Sequence, residues 1–400
     1  MGSFAIAKNG EVVYKRSVGY SNDNVPASEN TLYHIGSVTK VFTATMIFQL
    51  IEEGKLSLNA TLNTWFPPIP NAKQITIEML LDHRSGLFDF VNDVPNELWL
   101  MRPHTKNEIL NEIITGKVHF LPNADFSYSN SGYILLAYII EKITGRSYNE
   151  NLQKRICSKI GLKNTYSSNN NTLAKDEAAS YSFTTKWEKN IDIYFPNVIG
   201  AGDILSTPTD LIVFDEALLD GKLVSAQSLN LMKAFKNGSF GMGIDWIPFG
   251  NHIGYGHGGD IHGTHSLVAY FIDDKLTVTY CINGEVYPHN DVGIAMLSIC
   301  YGTKYAIPAF KNITVSNEIL NKYTGVYSST QISLKIKVTI SGPALFIQAT
   351  GEPAIVMDAM ENNIFKNDAV GAVVEFNADK SEMTLKQDGG NFLFRKDKER

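Results

Sequence analysis

The chain has 400 residues, 44% of them hydrophobic and 19% charged, a composition typical of a globular protein that is long enough for two domains. Its formal net charge is -6 and its lysines and arginines are scattered, so it lacks the basic face that nucleic-acid binding needs. No stretch reaches the ~18 consecutive apolar residues of a membrane-spanning helix, and we expect no transmembrane segment.

The chain opens with a pattern of two paired strands and then a helix. In "FAIAKNGEVVYKRSVGY" apolar and polar residues alternate on both sides of Asn9-Gly10, which predicts a β-hairpin with a tight turn. After Ser37 apolar residues recur at helical spacing, and Gly54 provides the expected end of that helix.

The middle of the chain, residues 60–165, reads as largely helical and irregular. A second helix is predicted for "SGYILLAYIIEKITG", which begins near Ser131 and ends at Gly145. A third is predicted after Thr207, where a threonine cap is followed directly by Pro208.

Strand patterns return from residue 238 in four segments, "FGMGIDWIPF", "IGYGHGG", "THSLVAYFID" and "KLTVTYCIN". Turn residues between them indicate an antiparallel meander, and a final helix, "DVGIAMLSICYG", follows. The early and late strands must share one sheet. We therefore predict an α/β (α+β) domain over residues 1–305, with an antiparallel sheet flanked by helices.

The last part of the chain changes character near residues 305–320, beyond which helix signals cease. "SLKIKVTI" alternates apolar residues with lysine and threonine, which is typical of a half-buried strand, and turn clusters recur after it. We predict a second domain over residues 315–400, a small antiparallel barrel or sandwich. We expect it to shape substrate access or assembly and to take no part in the chemistry.

The segment "YHIGSVTKVFTATMIFQLIEEGKL" places Ser37 at the start of an apolar helix and Lys40 three residues later. Residues three apart share a helix face, and a lysine buried near the positive helix end loses its proton more easily. A neutral amine there can activate the serine hydroxyl, while free N–H groups hold an oxyanion. The alternative is a helix cap beside a surface lysine, and the spacing alone leaves both interpretations open.

Two further triplets carry side chains that suit acyl transfer. "FSYSNSGYILL" places Tyr128 and Asn130 before a helix, offering a phenol for proton transfer and an amide to orient substrate or Lys40. "YGHGGDIHGTHSLVAYF" places His257-Gly258-Gly259 on a strand, where glycines allow close approach of a substrate backbone. Each triplet type also occurs elsewhere in the chain, so neither is specific alone.

The order of the three motifs is specific. S-x-x-K opens an apolar helix, Y-x-N follows about ninety residues later, and H-x-G lies on a late strand. This pattern resembles the penicillin-recognising serine hydrolases, in the branch of class C β-lactamases, D-Ala-D-Ala carboxypeptidases, D-aminopeptidases and related esterases. Flanking text such as "MLLDHRSGLFDF" and "GAGDILSTPTDL" agrees. The resemblance covers residue 4 to about residue 300. The tail from about residue 315 more weakly resembles a lipocalin-like domain appended to some members.

The resemblance implies a role for each motif residue. Ser37 resembles the acylated nucleophile, and Lys40 and Tyr128 resemble the pair that transfers protons, with the acceptor of the first proton left open. Asn130 resembles the residue that orients the substrate amide. The N–H groups of Ser37 and of Asp260 would form the oxyanion hole.

The late-strand motif departs from the usual β-lactamase pattern, K-T-G. Here His257, Gly258 and Gly259 stand in its place, so a permanent cation becomes a histidine with an unperturbed pKa of ~6.5 and a hydroxyl is lost. We expect substrate carboxylates to be held weakly and β-lactams to be poor substrates.

The implied reaction is formation of a Ser37 ester followed by its hydrolysis, with no cofactor. The implied substrates are small peptides or amides that contain D-residues. The alternative activities are those of a carboxylesterase or a weak β-lactamase. A non-catalytic, penicillin-binding-like sensor is the alternative of another class. The oligomeric state is left open. The cellular location is also left open. The resemblance implies a periplasmic or secreted protein if a leader was removed, and otherwise we expect a cytoplasmic one.

Two remaining groups of residues suggest other chemistry. Four histidines within fourteen positions (His252, His257, His262 and His265) resemble a zinc site, but one belongs to the hydrolase motif and we expect no metal. Three cysteines (Cys157, Cys281 and Cys300) are expected to be buried thiols, with a Cys281–Cys300 disulfide as the alternative.

Overall fold

A computed structural model describes residues 1–93, 97–168, 176–183, 186–236, 238, 240–305, 314–332, 334–350, 354–367, 370–387 and 390–397. The chain clusters into two units. The first comprises Met1–Ser182, Glu188–Glu285 and Gly293–Thr303, and the second comprises Phe183–Trp187, Val286–Val292 and Lys304–Arg400. Most of the predicted linker, residues 306–313, lies outside the described residues.

The strands up to residue 282 are β1 Gly2–Lys8, β2 Glu11–Val18, β3 Tyr20–Asn22, β4 Val25–Pro26, β5 Tyr33–His34, β6 Tyr166–Ser167, β7 Tyr181–Phe183, β8 Trp187–Lys189, β9 Ile204–Ser206, β10 Asp245–Phe249, β11 His252–Ile261, β12 Thr264–Phe271 and β13 Leu276–Ile282. The α-helices up to residue 301 are α1 Thr39–Glu52, α2 Ile77–Leu81, α3 Glu97–Leu100, α4 Lys106–Thr115, α5 Asn130–Thr144, α6 Tyr148–Leu152, α7 Ser158–Ile160, α8 Pro208–Leu219, α9 Ala226–Met232 and α10 His289–Tyr301.

The main sheet of the first unit is antiparallel, in the order β10-β11-β12-β13-β1-β2. Strand β1 pairs with β13 from Gly2↔Ile282 to Lys8↔Leu276, which joins the two ends of this unit. The turn between β1 and β2 has positive φ at both Asn9 (54°) and Gly10 (79°), as a tight hairpin turn requires. The predicted hairpin, the meander and their shared sheet are confirmed.

Helices cover this sheet and form the core of the unit. Helix α8 packs against β1, β12 and β13, and Thr207 caps it by accepting a hydrogen bond from the backbone N–H of Asp210 (3.2 Å). Helix α1 packs against α5 and is buried on every side from Thr39 to Leu50. A helix that is apolar all round belongs in a core, so α1 can hold a side chain away from water.

The second unit contains α11 Asn317–Tyr323 and the strands β14 Gly325–Ser329, β15 Lys335–Ser341, β16 Ala344–Ala349, β17 Ile355–Ala359, β18 Ile364–Asn367, β19 Ala372–Asn377, β20 Glu382–Gln387 and β21 Gly390–Lys396. Each strand pairs with the next, and pairing of β14 with β21 closes the barrel. Along β15, Ile336 and Val338 are buried while Lys335, Lys337 and Thr339 are exposed. The barrel alternative is confirmed, and apolar side chains fill its interior.

The structure also settles one smaller expectation from the sequence, on the cysteines. All three cysteines are free thiols, with Cys157 and Cys281 buried and Cys300 partly buried, so the disulfide alternative is wrong. Among the described helices, none combines the length and the apolar character needed to cross a membrane.

Candidate active site

Ser37 lies in a 3-10 turn, Gly36–Val38, that leads directly into α1. Its hydroxyl makes no capping bond to the helix, and it instead accepts a hydrogen bond from Lys40 Nζ at 2.9 Å. The interpretation of Ser37 as a helix cap is therefore wrong. The turn depends on Gly36, which has a φ of 50°, a conformation that favours glycine.

Lys40 is fully buried and is no surface lysine. Besides Ser37, its Nζ donates to Asn130 Oδ1 at 2.8 Å and to the carbonyl oxygen of Ala201 at 2.9 Å. Burial lowers the pKa of Lys40 to about 7, against the opposing effect of the carboxylates of Asp89 and Asp245. Near neutral pH, Lys40 can therefore hold or release a proton while it faces the serine hydroxyl.

Tyr128 lies against the same amine, with its ring centroid 4.8 Å from Lys40 Nζ. Its hydroxyl is buried and makes no hydrogen bond of normal geometry with a described residue. Burial raises the pKa of Tyr128 far above its ordinary value, and the Ser37 hydroxyl beside it opposes that effect only in part. The phenol therefore keeps its proton in the resting site. This makes it better suited to relaying a proton than to acting as a permanently ionised base.

His83 supports this tyrosine from behind. The two rings stack with centroids 4.3 Å apart, and His83 Nδ1 accepts a hydrogen bond from the backbone N–H of Ser129 at 3.0 Å. Burial lowers the pKa of His83 well below its ordinary value, so the ring is neutral. It packs against Tyr128 and binds the backbone of the loop that presents it.

Asn130 has a defined orientation because each end of its amide has a different partner. Its Oδ1 faces Lys40, and its Nδ2 donates to Asp89 Oδ2 at 3.0 Å. Asp89 is buried and also accepts bonds from the backbone N–H of Val91 (3.2 Å) and from Asn92 Nδ2 (2.8 Å). One Nδ2 hydrogen of Asn130 is left for a substrate oxygen. Sequence reasoning missed Asp89, although its charge between two phenylalanines in "LFDF" was a visible signal.

Strand β11 passes close to the turn that carries Ser37. A Cβ atom built on Gly259 would lie 2.1 Å from the Ile35 carbonyl oxygen and 3.0 Å from the Ser37 nitrogen, so only glycine fits. A Cβ built on Gly36 would lie 3.0 Å from the Asp260 nitrogen. The backbone nitrogens of Ser37 and Asp260 therefore both border the contact between this turn and β11.

His257 and Gly258 come directly before Gly259 on β11. The imidazole is buried, its Nδ1 bonds the Gly258 carbonyl oxygen, and its Nε2 lies 3.6 Å from Asp245 Oδ2. Asp245 begins β10, opposite Gly256 of β11. Burial raises the pKa of the Asp245 carboxyl, with His257 and Lys40 opposing that effect. The sequence analysis did not identify Asp245, which stands between apolar neighbours in "GIDW".

These groups line a cavity of about 610 Å³. The residues lining it include Ser37, Tyr128, Asn130, Asp245, His257, Gly258, Asp260 and His262, together with apolar side chains (Val91, Leu100, Ile193, Val198, Phe240 and Ile261). Among the described residues that line it, none is lysine or arginine. The cavity therefore combines the predicted reactive groups with an apolar wall and two carboxylates.

The histidines of the zinc alternative have different partners. His252 Nδ1 lies 2.8 Å from Asp274 Oδ2, and His265 Nδ1 lies 2.6 Å from Asp260 Oδ1, whereas His257 faces Asp245 and His262 lines the cavity. In the part of the chain that the structure describes, the four rings do not meet as a shared group of ligands.

The chain is similar to several known proteins. Penicillin-binding protein 4* of Bacillus subtilis (strain 168) is 26% identical over 409 residues, covering 94% of this chain and 89% of that protein. Teichoic acid D-alanine hydrolase of Staphylococcus aureus (strain MRSA252) is 29% identical over 237 residues, which is 57% of each chain. The crystal structure of D-amino acid amidase from Ochrobactrum anthropi SV3 complexed with D-phenylalanine has a TM-score of 0.67 and 27% identity, covering 75% of this chain and 94% of that one.

The profile of one family, Beta-lactamase, matches residues 2–299, which span the main sheet and every residue of the cavity. That match covers the S-x-x-K, Y-x-N and H-x-G motifs in the predicted order. The chain belongs to the beta-lactamase family, in which it is a penicillin-binding-protein-like serine hydrolase.

Proposed function

We propose that this protein is a D-stereospecific amidase or peptidase that works through an acyl-enzyme on Ser37. The observation that carries the proposal is the buried amine of Lys40, with a pKa lowered to about 7 and its Nζ 2.9 Å from Ser37 Oγ. A serine hydroxyl becomes a useful nucleophile only when a positioned base removes its proton, and this amine is such a base.

Lys40 takes the first proton in the proposed reaction. Its neutral amine accepts the Ser37 hydroxyl proton as Oγ attacks the substrate carbonyl. The N–H groups of Ser37 and Asp260 stabilise the oxyanion that forms. Asn130 holds the substrate through its remaining Nδ2 hydrogen, because Asp89 and Lys40 fix the orientation of the amide.

Tyr128 carries the proton to the leaving group. Its raised pKa keeps the phenol protonated, so it can pass its own proton to the departing amine and regain one from Lys40. Water then attacks the Ser37 ester with the same groups acting in reverse, and the acyl product leaves. No step in this sequence needs a metal or an organic cofactor.

Two features support the substrate class. The compared teichoic acid D-alanine hydrolase and D-amino acid amidase both have a D-amino acid in their names. The cavity wall of Val91, Leu100 and Ile193 suits an apolar side chain, and none of the described residues that line the cavity is a lysine or arginine that could anchor a substrate carboxylate. Amides of apolar D-amino acids therefore fit the site better than carboxylate-bearing β-lactams.

A substrate panel tests the proposal. The wild-type protein should hydrolyse D-phenylalanine amide faster than its L-enantiomer by more than about tenfold, the scale on which a shaped pocket discriminates. A chromogenic β-lactam should be turned over poorly. Faster hydrolysis of simple nitrophenyl esters than of any amide, with no preference between enantiomers, would replace the proposal by the esterase alternative. If a fluorophosphonate probe did not label Ser37, the chain would be a non-catalytic binding protein.

We further propose that residues 1–305 carry all of the chemistry and that residues 315–400 act as a separate barrel domain. This division is supported by the position of every cavity residue before residue 263. It is also supported by the separate apolar core of the barrel.

A further inference from the structure

Asp245 is a carboxylate in the cavity with few partners. Among the described residues, its side chain makes one polar contact, the 3.6 Å approach of His257 Nε2 to Oδ2, and none donates a hydrogen bond to it. The side chain is 18% exposed, and that exposed part faces the cavity it lines. A carboxylate this enclosed normally accepts several hydrogen bonds, so its acceptor capacity is unfilled.

The neighbouring imidazole does not supply the missing donor in its neutral form. The Gly258 carbonyl oxygen can only accept a hydrogen bond, so the ring hydrogen of neutral His257 resides on Nδ1. Its Nε2 then carries a lone pair toward Asp245. Two acceptors thus face each other across 3.6 Å, and one nitrogen with several N–H donors can lie within hydrogen-bond distance of both.

The fold holds Asp245 in this place. Gly243 has a φ of 85°, and a Cβ atom built on it would lie 2.5 Å from Ala44 Cβ and 3.2 Å from the Lys40 carbonyl oxygen. The start of β10 is therefore pressed against α1, beside the reactive lysine. Pairing of Asp245 with Gly256 fixes its position next to His257.

The charges around the cavity favour a cation at this point. Asp245 and Asp260 line the cavity and Asp89 lies behind Asn130, whereas the cationic groups facing Asp245 are those of Lys40 and, when protonated, His257. Lys40 already has three acceptors of its own, so it leaves the Asp245 carboxylate free.

We propose that Asp245 and His257 form a subsite for the protonated α-amino group of the substrate, so that the preferred substrates are D-aminoacyl amides with a free amine. This inference rests on the proposed function and names its substrate class. The ammonium donates to the Asp245 carboxylate and to His257 Nε2 while the scissile carbonyl lies at Ser37. N-acylated substrates, and β-lactams with a carboxylate in this region, lack that charge and bind less tightly.

The test compares three ligands of one shape on the full-length protein. D-Phenylalanine amide has the ammonium, N-acetyl-D-phenylalanine amide has it blocked, and 3-phenylpropanamide lacks the nitrogen. Each is measured as a substrate and as a protectant that slows fluorophosphonate labelling of Ser37, which needs no turnover. The variants are Asp245→Asn, which keeps the shape without the charge, and Asp273→Asn, which removes an exposed carboxylate from the β12–β13 turn as a matched control.

In the wild type, D-phenylalanine amide should protect Ser37 and be hydrolysed about 10- to 100-fold better than either analogue, the value of one charge-assisted hydrogen bond. Asp245→Asn should remove most of that advantage, measured as the ratio of D-phenylalanine amide to each analogue, because loss of this charge also lowers the pKa of Lys40 and so affects all three ligands alike. Asp273→Asn should leave the ratio unchanged. Equal protection by all three ligands, or an equal loss for all three in Asp245→Asn, would overturn the subsite. Selective protection by the ammonium ligand without hydrolysis of any D-amide would uphold the subsite and overturn the proposed amidase function.

Discussion

The two units of this protein bury different kinds of side chain. The core of the first contains ionisable groups with almost no exposure, among them Lys40, His83, Asp203 and Asp215. The described part of the barrel buries aliphatic and aromatic side chains with methionine, and no charged one. One unit thus carries groups that are costly to bury, and the other has a filled apolar interior.

This difference indicates that buried residues of the first unit serve the chemistry, whereas those of the barrel serve stability. Removing a charge from water costs several kcal/mol unless partners compensate, so such groups persist where they have a task or a dense set of partners. Lys40 has three acceptors, and Asp203 accepts bonds from the Ser167 hydroxyl and from the backbone N–H of Gly200 (2.7 Å). Substitutions in the first core should therefore change the chemistry, whereas substitutions in the barrel should change only stability.

The largest effect is expected for Lys40→Met, which removes the proposed base and keeps an unbranched side chain of similar length. The activity on a nitrophenyl ester, measured as kcat/KM, should fall by about 10²- to 10⁴-fold, the usual contribution of a positioned general base. Lys142→Met, at the end of α5, is the control and should retain full activity. Wild-type rates in Lys40→Met would exclude the amine as the base.

Asp89→Asn should act on the same group through its pH dependence. The Asp89 carboxylate raises the pKa of Lys40, so its loss should lower that pKa below about 7 and move the acid limb of the kcat/KM profile to lower pH. Misplacement of the Asn130 amide should also reduce kcat by about 10- to 100-fold. An unmoved acid limb in a folded variant would show that the limb belongs to another group.

His257→Lys tests how the site holds a substrate carboxylate, because it places a permanent cation on the late strand. The affinity for carboxylate-bearing ligands such as penicillins should rise by about 10- to 100-fold, most clearly above pH 7, where lysine keeps its charge. Binding constants from protection against a fluorophosphonate measure this change. Robust penicillin turnover by the wild type that His257→Ala leaves unaffected would mean that the carboxylate is held elsewhere.

The smallest effect on activity is expected for a substitution that creates a large cavity inside the barrel. Phe394 is fully buried there, and Phe394→Ala should destabilise the barrel by about 3–5 kcal/mol. Ester hydrolysis by the protein that remains folded should be unchanged. Thermal unfolding and the active-site titre should be followed together. A loss of activity without a loss of folded protein would contradict this prediction.

Periodic segments allowed much of the fold to be predicted from the sequence. The alternation around Asn9-Gly10 predicted the hairpin, and the alternation in "SLKIKVTI" predicted β15, because a strand buried on one face alternates by necessity. Closure of the barrel was not predictable, since it depends on the pairing of β14 with β21, in which Tyr327 lies opposite Lys396.

The site residues that lie within one sequence motif could be predicted. The residues that only the fold brings to the site could not. Ser37 and Lys40 are one helical turn apart, so their contact follows from the sequence. Asp89 and Asp245 reach the site from distant segments. Each is a charge among apolar neighbours, but neither lies in a spacing pattern that identifies its partner in the site. The Ala201 carbonyl, which accepts from Lys40, is a backbone atom that no side-chain motif can mark.

Covalent labelling tests the central claim most directly. The wild-type protein and Ser37→Ala are treated with a fluorophosphonate, and intact mass and peptide mapping follow. Because the proposed mechanism has Lys40 activate one hydroxyl, we predict one phosphonyl group per wild-type chain, on the peptide that contains Ser37. We predict none on Ser37→Ala, whose thermal unfolding should match that of the wild type. Equal labelling of folded Ser37→Ala, or labelling of the wild type at another residue, would contradict the assignment of Ser37 as the nucleophile.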